Sequence, residues 1–446
     1  MGRKSHAQRL NIWLNGTPVG YWETLRGRHT LVYFDQWLAD EQARPLSLSL
    51  SFKPQNAPHS GPLVSNYFDN LLPDSGVIRR RIAQHFRTEG TEPHQLLAAV
   101  GRDCVGAIQL LPSDDVPEDL FSITGNVLSD PEIAAILRNT TSDRPLGQRA
   151  DAMDLRLSIA GAQEKSALLK WKGNWYRPSG STPTTHIFKL PMGLVGAMQA
   201  DMRISVENEW LCSRIVHAFG LPIAHCEIAT FEDQKSLIVD RFDRRYAEDA
   251  SWIVRLPQED FCQGTGTSPV QKYQADGGPG ISKIMEILLS SENAQQDRFH
   301  FFKTQIVFWM LAATEGHAKN FSIFHLPGSR FMATPLYDVL SAHPILGIGA
   351  NKLAAQRAKL AMAIRGSENH YHLQLIQRRH WLRHAQLAGL GAPAAERMID
   401  ELIAITRDVV DCVADQLPST FPQDLADAIL NGVLHQSQRL GRMMAT

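Results

Sequence analysis

The sequence predicts an α+β fold with two lobes, because three observations agree. Strand-like alternation, as in "KSALLKW" and "SLIVDRF", dominates residues 155–245, and apolar residues at helical spacing dominate after about residue 280. The chain has 446 residues, 43% apolar and 20% charged, which is typical of a soluble globular enzyme with two or three domains. A run of strands followed by a run of helices is typical of α+β proteins, and we expect a ligand-binding cleft between the lobes.

The polar segment "TTSDRPLGQRADAMD" predicts a connector, and it sets the first of two domain boundaries. We therefore divide the chain into three parts. Residues 1–145 are an N-terminal α+β subdomain, residues 146–250 a strand-rich lobe, and residues 251–446 an all-helical lobe.

Local patterns predict individual elements within these parts. "HTLVYF" and "LSLSLSF" alternate as strands do, and Lys172-Gly173-Asn174 predicts a tight turn. "VIRRRIAQHF" predicts a helix whose three consecutive arginines form a solvated face rather than a binding patch. Its apolar face consists of Val77, Ile78, Ile82 and Phe86.

Two further segments predict longer helices. "SVENEWLCSRIVHAFG" begins at a capping Ser205 and ends at Gly220. "PAAERMIDELIAITRDVVDCVADQL" has apolar residues at helical spacing throughout. The residues predicted to share its buried face are Met398, Leu402, Ile405, Val409 and Val413.

Cysteine usage and hydropathy predict a cytoplasmic location. The five cysteines are scattered and form no CxxC, which is typical of reduced thiols rather than of disulfides or a zinc site. No apolar run approaches the roughly 18 residues of a membrane helix, and the basic N-terminus lacks the apolar core of an export signal. The formal charge of −1 gives no support for direct contact with nucleic acid.

The stretch "MLAATEGHAKNFSIF" places polar side chains in an otherwise apolar segment. Glu315 and Asn320 lie between a predicted long helix and a predicted short strand, and Asp338 follows further along the chain. A phosphoryl-transfer site needs a carboxylate to accept the proton of the attacking hydroxyl, an Asn to hold magnesium and a second acid to bridge metal and phosphates. The spacing therefore favours such a site over its alternative, a polar helix end followed by a turn.

A lysine inside an apolar strand supports the same chemistry. Lys189 lies in "HIFKLP", where an unpaired charge is costly, and a kinase needs such a lysine to neutralise nucleotide phosphates. A glutamate on a helix must hold that lysine. The segment "SVENEW" offers Glu207 and Glu209, and the sequence does not choose between them.

Two loops could complete a nucleotide site. In "LSIAGAQEKSALL", Gly161 and its small neighbours could let backbone N–H groups wrap phosphates, although an ordinary hairpin turn is the alternative. In "VDRFDRR", Asp240, Phe242 and Asp243 could contact adenine and ribose, although a charged, solvated strand end is equally compatible with the pattern.

Ten segments, matched in order, closely resemble the HipA family, and the similarity as a whole runs from about residue 10 to 440. Three are in the N-terminal part: "RPLSLSL", "YFDNLLPDS" and "GRDCVGA". The others are "SIAGAQEKSALL", "TPTTHIFKLP", "DRFDRR", "RLPQEDFCQ", "ADGGPGISKIM", "GHAKNFSIF" and "PLYDVLSA". HipA proteins are bacterial serine/threonine kinases that act as toxins of toxin–antitoxin pairs, so the resemblance implies a protein-kinase-like fold with a nucleotide-binding lobe and a catalytic lobe.

The resemblance also implies a role for each matching residue in binding ATP. It makes "GAQEKS" the phosphate-binding loop, places Lys189 on the nucleotide phosphates, and makes the segment from Asp240 to Asp243 the adenine and ribose site, with Asp243 on the ribose. The remaining residues expected to contact the nucleotide are Phe242, His317, Lys319, Ala160, Gly161, Ala162, Gln163, Glu164 and Lys165.

Catalysis and regulation are implied in the same way. Asn320 and Asp338 become the Mg²⁺ ligands, and Glu315 takes the position of the catalytic base. Ser158 matches the inhibitory autophosphorylation serine of the family. A phosphate there would add a charge of about −1.5 to −2, which would clash with the phosphates of bound ATP.

The family further implies partners and an outcome. It implies a small helix-turn-helix antitoxin of the HipB type, through which the pair binds operator DNA. It also implies a protein substrate, an aminoacyl-tRNA synthetase of the glutamyl type, and growth arrest when that substrate is phosphorylated. No membrane partner is expected.

Two positions depart from the family pattern. Asp240 stands where the family often has Glu, and Glu315 stands where the family has Asp. Glu is one methylene longer, and a misplacement of about 1 Å can cost on the order of 100-fold in rate. A nucleotide-binding pseudokinase that acts as a co-repressor is therefore an alternative, and a small-molecule phosphotransferase is a further one.

Overall fold

The computed structural model describes residues 8–140, the backbone of residues 157–158, and residues 163–196 and 199–443. These residues form two compact units, each assembled from three separate segments. The first unit is Met1–Leu190, Ala229–Val270 and Ser322–Phe331, and the second is Pro191–Ile228, Gln271–Phe321 and Met332–Thr446. This grouping differs from three contiguous parts. The three-part division stays a prediction, and its boundary at residue 145 lies outside the described residues.

The strands of the described residues are short and mostly antiparallel. In chain order they are β1 Gln8–Leu14, β2 Thr17–Leu25, β3 Arg28–Tyr33, β4 His59–Ser60, β5 Asp103–Cys104, β6 Ile108–Pro112, β7 Gly125–Leu128, β8 Leu157–Ser158, β9 Lys165–Trp171, β10 Asn174–Pro178 and β11 His186–Lys189. They continue with β12 Gly193–Val195, β13 Ala200–Met202, β14 Cys226–Phe231, β15 Gln234–Asp240, β16 Arg244–Tyr246, β17 Ile253–Arg255, β18 Gln258–Asp260, β19 Ser322–Leu326, β20 Arg330–Ala333, β21 Lys359–Arg365 and β22 Asn369–His372.

The helices of the described residues differ in length, and the two longest lie near the C-terminus. They are α1 Asp35–Leu38, α2 Pro62–Asp69, α3 Gly76–Phe86, α4 Pro93–Val100, α5 Asp130–Thr140, α6 Ser205–Ala218, α7 Phe261–Thr265, α8 Ile281–Ile287, α9 Ala294–Met310, α10 Arg378–Leu387, α11 Ala392–Asp415 and α12 Gln423–Arg442. Within the described residues, none of these helices combines the length and the apolar character that a membrane span requires.

The first unit begins with a five-stranded sheet in the order β4-β3-β2-β1-β6. Its strand β1 alternates as a half-buried strand should, and its side chains Leu10, Ile12 and Leu14 point into the core. Helix α2 covers this core, because Phe68 stacks on the fully buried Trp22 with ring centres 4.0 Å apart. The sheet and its helices therefore share one hydrophobic core.

A six-stranded sheet in the order β14-β15-β11-β9-β10-β7 carries three of the predicted nucleotide-binding residues, Lys165, Lys189 and Asp240. Strands β9 and β10 form a hairpin, and positive φ angles at Lys172 (48°) and Gly173 (82°) confirm the predicted tight turn. Helix α5 packs on the sheet through Ile133 and Leu137, which are fully buried. The hydrophobic core between this sheet and helix α5 includes Leu168 of β9 and Phe188 of β11, so it holds these two central strands in place.

The second unit is mainly helical. Helix α11 packs against α6, α10 and α12, and Met398, Leu402, Val409 and Val413 are buried on its predicted face. Helix α9 is the central helix, since large side chains such as Trp309 and Phe302 on it are fully buried. Two hairpins, β12–β13 and β21–β22, accompany the helices.

Some expected elements are wrong. "LSLSLSF" is not a strand but contains a 3₁₀ turn at Leu48–Leu50, which begins where the Ser47 hydroxyl accepts a hydrogen bond from the Ser49 N–H. Serine side chains compete for the backbone in this way and so disfavour strands. Val77 and Ile405 were expected on buried helix faces, but they are 53% and 37% exposed because each lies at the edge of its stripe.

Two further expectations need correction. Helix α6 has the predicted extent, but Ser205 is its first helical residue and not its cap, because its hydroxyl accepts from the Met192 N–H at 3.0 Å. The C-terminal part is not all-helical, since strands β17–β22 lie within residues 251–446. Among them, strand β19 pairs antiparallel with β18, and both strands belong to the first unit.

Buried neutral histidines make stability depend on pH. Burial lowers the pKa of His94 in the first unit and of His384 in the second to about 4, below the ordinary value near 6.5. At His384 the geometry requires the neutral form, because Nδ1 accepts a hydrogen bond from the Arg365 N–H at 3.0 Å while Nε2 lies 2.9 Å from the Ser282 hydroxyl.

We expect acidification to destabilise the protein through these histidines. Between pH 6.5 and 4 the unfolded chain binds more protons than the folded chain, so stability falls as pH falls through that window, by up to about 3 kcal/mol per group. Urea unfolding at pH 7 and pH 4.5 measures the loss. His384→Gln should reduce the difference, and equal pH dependence in wild type and variant would contradict the assignment.

Candidate functional site

The predicted catalytic stretch forms a compact loop in the second unit. Helix α9 ends at Met310, the chain turns with a positive φ at Ala312 (50°), and a short 3₁₀ turn at Ala318–Asn320 leads into strand β19. The loop is closed by its own backbone, since His317 N–H donates to the Glu315 carbonyl at 2.7 Å and Asn320 N–H to the His317 carbonyl at 2.9 Å. This geometry fixes Glu315, His317 and Asn320 relative to one another.

The structure brings Asp338 beside this loop. The side-chain amide Nδ2 of Asn320 donates to the Glu315 carbonyl at 2.9 Å and to the Asp338 carbonyl at 3.4 Å. Nearby, the Tyr337 hydroxyl donates to the Lys319 carbonyl at 2.9 Å. Both hydrogens of the Asn320 amide are therefore used to join the two segments, which are distant in sequence.

These residues fit a magnesium ion. Because Nδ2 of Asn320 is held by two carbonyls, its oxygen Oδ1 is the atom directed away from them, and an amide oxygen is a ligand that Mg²⁺ accepts. Asp338 is partly exposed and has a φ of 62°, in the left-handed region that non-glycine residues adopt infrequently. Such strained backbone is concentrated at functional sites.

Glu315 carries the exposed carboxylate of the loop. Its side chain is 53% exposed, and Oε2 lies 4.0 Å from Nε2 of His317, which is itself buried. The Tyr273 hydroxyl donates to the same Oε2 at 2.5 Å. Glu315 thus has an exposed side chain whose carboxylate accepts a hydrogen bond from a tyrosine.

The first unit places two lysines opposite each other. Lys165 on β9 and Lys189 on β11 are directly paired in the antiparallel ladder, so their side chains leave the same face of the sheet. Lys189 is only 6% exposed, and Ser236 on the next strand donates to its carbonyl at 3.0 Å. The contact of these two lysines with nucleotide phosphates stays a prediction.

The predicted phosphate loop is described only in its last residues. Ala160, Gly161 and Ala162 lie outside the described residues, whereas Gln163 and Glu164 both contact Leu190, next to Lys189. Gln163 donates from its side chain to the Leu190 carbonyl at 2.5 Å, and the Leu190 N–H donates to the Glu164 carbonyl at 3.2 Å.

Arg81 on helix α3 binds the predicted phosphate loop through Glu164. Its guanidinium lies 2.6 Å from the Glu164 carboxylate and donates to the Thr140 carbonyl at 2.9 Å. The prediction that the arginines of helix α3 are merely solvated is therefore wrong for Arg81. Arg79 also has a partner, Asp69, at 2.7 Å.

Asp240 and Phe242 lie at the end of strand β15. Asp240 is about half exposed and lies 3.1 Å from Nε2 of His186, its partner across the ladder. His186 precedes Lys189 by three residues on the same strand, a separation of about 10 Å. Phe242 is half-buried against Phe324. Their contacts with a nucleotide stay a prediction.

Asp243 has a different environment from the one a ribose ligand needs. It is 4% exposed, both its oxygens pair with Arg241, and one of them also accepts from the Gly106 N–H at 2.7 Å. Arg244 lies 3.0 Å away. The structure therefore gives Asp243 a role inside the protein, and this arrangement does not support its predicted contact with a ribose.

Asp243 belongs to a buried charge network defined by Asp103, Arg241, Asp243, Arg244 and Arg255. All five side chains are buried, and the three guanidinium groups outnumber the two carboxylates. Burial alone would raise the pKa of Asp103, but the adjacent arginines hold it well below its usual range. Burial lowers the pKa of Arg255 to about 9, and the Asp103 carboxylate, 3.8 Å away, offsets only part of this shift.

The network also reaches the strand that carries Ser158. The backbone of β8 pairs in parallel with β5, so that Ser158 lies beside Cys104. The Cys104 carbonyl accepts hydrogen bonds from both Arg241 and Arg244 at 2.8 Å. Modification of Ser158 stays a prediction.

The remaining predicted residues, Glu207 and Glu209, both lie on helix α6 and are buried. They belong to the second unit and Lys189 to the first, so the pairing of either glutamate with this lysine stays a prediction. The sequence did not single out Tyr273, His186 or Asp103. No local signal could have found them, because each contacts a residue distant along the chain.

Fold and site together define a protein of the two-part, kinase-like α+β class. The HipA-like C-terminal domain family matches residues 157–410, and the HipA N-terminal domain family matches residues 10–111. The chain belongs to the HipA family of kinase toxins, as the sequence predicted.

Individual relatives agree with this assignment. The chain is 32% identical over 418 residues to the protein named "Putative kinase Y4mE" of Sinorhizobium fredii, covering 92% of this chain and 93% of that one. It is 24% identical over 384 residues to the serine/threonine-protein kinase toxin HipA of Shewanella oneidensis, covering 82% and 80%. The fold matches HipA in a solved complex of Shewanella oneidensis HipA, HipB and operator DNA, with a TM-score of 0.78, 21% identity, and coverage of 97% and 98%.

Proposed function

We propose that this protein is an ATP- and Mg²⁺-dependent serine/threonine kinase and the toxin of a toxin–antitoxin pair. The observation that carries the proposal is the Asn320 side chain, whose amide joins the Glu315 and Asp338 segments and leaves its oxygen for a metal. Family membership supports the same reaction class.

Each residue has a defined task in this proposal. Glu315 orients the substrate hydroxyl and accepts its proton, while Lys165 and Lys189 attract the phosphates of ATP from one face of the first unit's sheet. Asn320 and Asp338 would hold the metal. When bound, Mg²⁺ neutralises charge on the phosphates and orients them for in-line attack.

Binding of the nucleotide base is a separate part of the proposal. We assign adenine contacts to Phe242 and the backbone around Asp240, where a half-buried aromatic ring and a half-exposed carboxylate end the strand. His317 and Lys319 are buried in the catalytic loop and would act through its shape. Asp243 is left out of this assignment because its oxygens are engaged by arginines.

Labelled ATP tests the proposal. Purified protein incubated with γ-labelled ATP and Mg²⁺ should incorporate label into itself as phosphoserine at Ser158, and chelation of the metal should stop the reaction. Ser158→Ala should remove most self-incorporation, and Ser179→Ala, at a serine outside the proposed site, is the matched control. Absence of label from wild type under all metal conditions would contradict the kinase assignment.

Partners follow from the relatives. The solved Shewanella oneidensis structure contains HipA with HipB and operator DNA. We propose a helix-turn-helix antitoxin of that type for this chain, with operator DNA bound by the pair. We further propose an aminoacyl-tRNA synthetase, of the glutamyl type, as the protein substrate.

The same assay separates the alternative of a pseudokinase. Glu315 at the base position is the residue that raises it, because the longer side chain alters where the carboxylate lies. A pseudokinase would bind ATP in calorimetry without transferring label. Transfer to small hydroxylated compounds but never to protein would instead indicate a small-molecule phosphotransferase.

A further inference from the structure

The Glu315 side chain needs something to hold it. Compared with aspartate it has one more rotatable bond, and 53% of it is exposed, so packing against the protein does not fix its carboxylate. A base must lie within about 2.6–3.2 Å of the proton it accepts, and misplacement by about 1 Å can cost on the order of 100-fold in rate. An exposed and flexible glutamate is a poor base unless a neighbour orients it.

Tyr273 is such a neighbour. Its hydroxyl donates to Oε2 of Glu315 at 2.5 Å, which is a hydrogen bond between a hydroxyl and a carboxylate. The bond engages Oε2, and the second oxygen, Oε1, remains on the exposed side chain to accept a substrate proton. The contact therefore orients the carboxylate through one oxygen and leaves the other oxygen for the substrate proton.

Tyr273 is itself fixed to the catalytic loop. Its ring meets the buried His317 edge-on, with ring centres 5.1 Å apart, and the preceding residue Lys272 accepts a hydrogen bond from the Ala318 N–H at 3.4 Å. The Tyr273 carbonyl accepts from the Asp276 and Gly278 N–H groups at 3.0 Å. Because its ring and its backbone are both fixed in this way, Tyr273 can hold the Glu315 carboxylate in a defined position.

We propose that Tyr273 is a positioning residue that orients the Glu315 carboxylate for proton transfer and so offsets the extra methylene of glutamate. This inference rests on the proposed kinase function. An aspartate at position 315 would end about 1.5 Å short of the present carboxylate, so the Tyr273 hydroxyl would no longer reach it. Tyr273 and Glu315 are therefore a matched pair.

The test is a double-mutant cycle on transfer of label from γ-labelled ATP. Tyr273→Phe keeps the ring contact with His317 and removes only the hydroxyl, and we expect it to lower kcat about 10-fold with KM for ATP unchanged. In the Glu315→Asp background, Tyr273→Phe should change kcat less than about 2-fold, because the hydrogen bond is already absent. Tyr21→Phe in the first unit is the matched control and should leave kcat unchanged.

Each outcome decides between specific alternatives. An active wild type with an equally active Tyr273→Phe variant would overturn this inference and leave the kinase function standing. Equal losses in both backgrounds, or a parallel loss of thermal stability, would reduce Tyr273 to a structural residue. If Glu315→Asp shows no transfer, the comparison of Tyr273→Phe with wild type replaces the cycle. A lower kcat with an unchanged KM for ATP would then support the positioning role, and an unchanged kcat would overturn it. A wild type without transfer would overturn both proposals.

Discussion

Replacing Asp338 by Asn should abolish phosphotransfer, with a loss of roughly 1,000-fold in kcat. The substitution keeps the shape of the side chain and removes the charge that would bind Mg²⁺ beside Asn320. The Asn320 amide contacts the Asp338 carbonyl, not its carboxylate, so the loop geometry should persist. Transfer of label from γ-labelled ATP, at the Mg²⁺ concentration that saturates the wild type, measures the loss.

A matched control separates this effect from general loss of negative charge. Asp415 ends helix α11 and is exposed, so Asp415→Asn should leave kcat unchanged. Raising the Mg²⁺ concentration should recover part of the activity of Asp338→Asn if metal affinity is what was lost. Full activity of Asp338→Asn at ordinary Mg²⁺ would remove Asp338 from the site.

The second large effect is on stability. Arg241→Ala should lower the free energy of unfolding by about 3–5 kcal/mol, because it leaves the buried carboxylates of Asp103 and Asp243 short of a partner. The substitution also removes the hydrogen bonds that the Arg241 guanidinium donates to the Cys104 carbonyl and the Thr184 hydroxyl. Urea unfolding of wild type and variant measures the difference.

The neighbouring Arg245 provides the control. It lies on the same strand as Arg244 and is exposed, so Arg245→Ala should change the free energy of unfolding by no more than about 0.5 kcal/mol. Because the Cys104 strand pairs with the strand of Ser158, Arg241→Ala should also expose the Ser158 segment to proteolysis. Similar losses in both variants would contradict the network as the cause.

The loop that contains Glu315 and Asn320 could be predicted from sequence because the prediction depends on the spacing of nearby residues. Glu315 and Asn320 lie in one loop, so their proximity follows from short-range geometry, and the structure adds the contact to Asp338. The lysine on a strand could be predicted as well, since a charge in an apolar alternating segment is a local anomaly. That Lys165 lies opposite Lys189 required the register of two strands.

Contacts distant in sequence could not be predicted. Asp243 has the pattern of an exposed strand end, and its burial became evident only when Gly106, 137 residues away, and Arg241 were seen to engage it. The partner of Arg81 is 83 residues away, and that of Tyr273 is 42 residues away. Hydrophobic periodicity in the sequence predicts which face of a helix or strand is buried, but it does not predict which residues pack against that face.

In the proposed reaction, the γ-phosphate of ATP is transferred to a serine or threonine hydroxyl of a protein. One reaction should be sampled for both ADP and protein-bound phosphate ester, with wild type and Asp338→Asn in parallel. We expect ADP and ester to rise together with wild type and neither to form with the variant. ADP accompanied only by free phosphate, or equal ester formation by the variant, would contradict it.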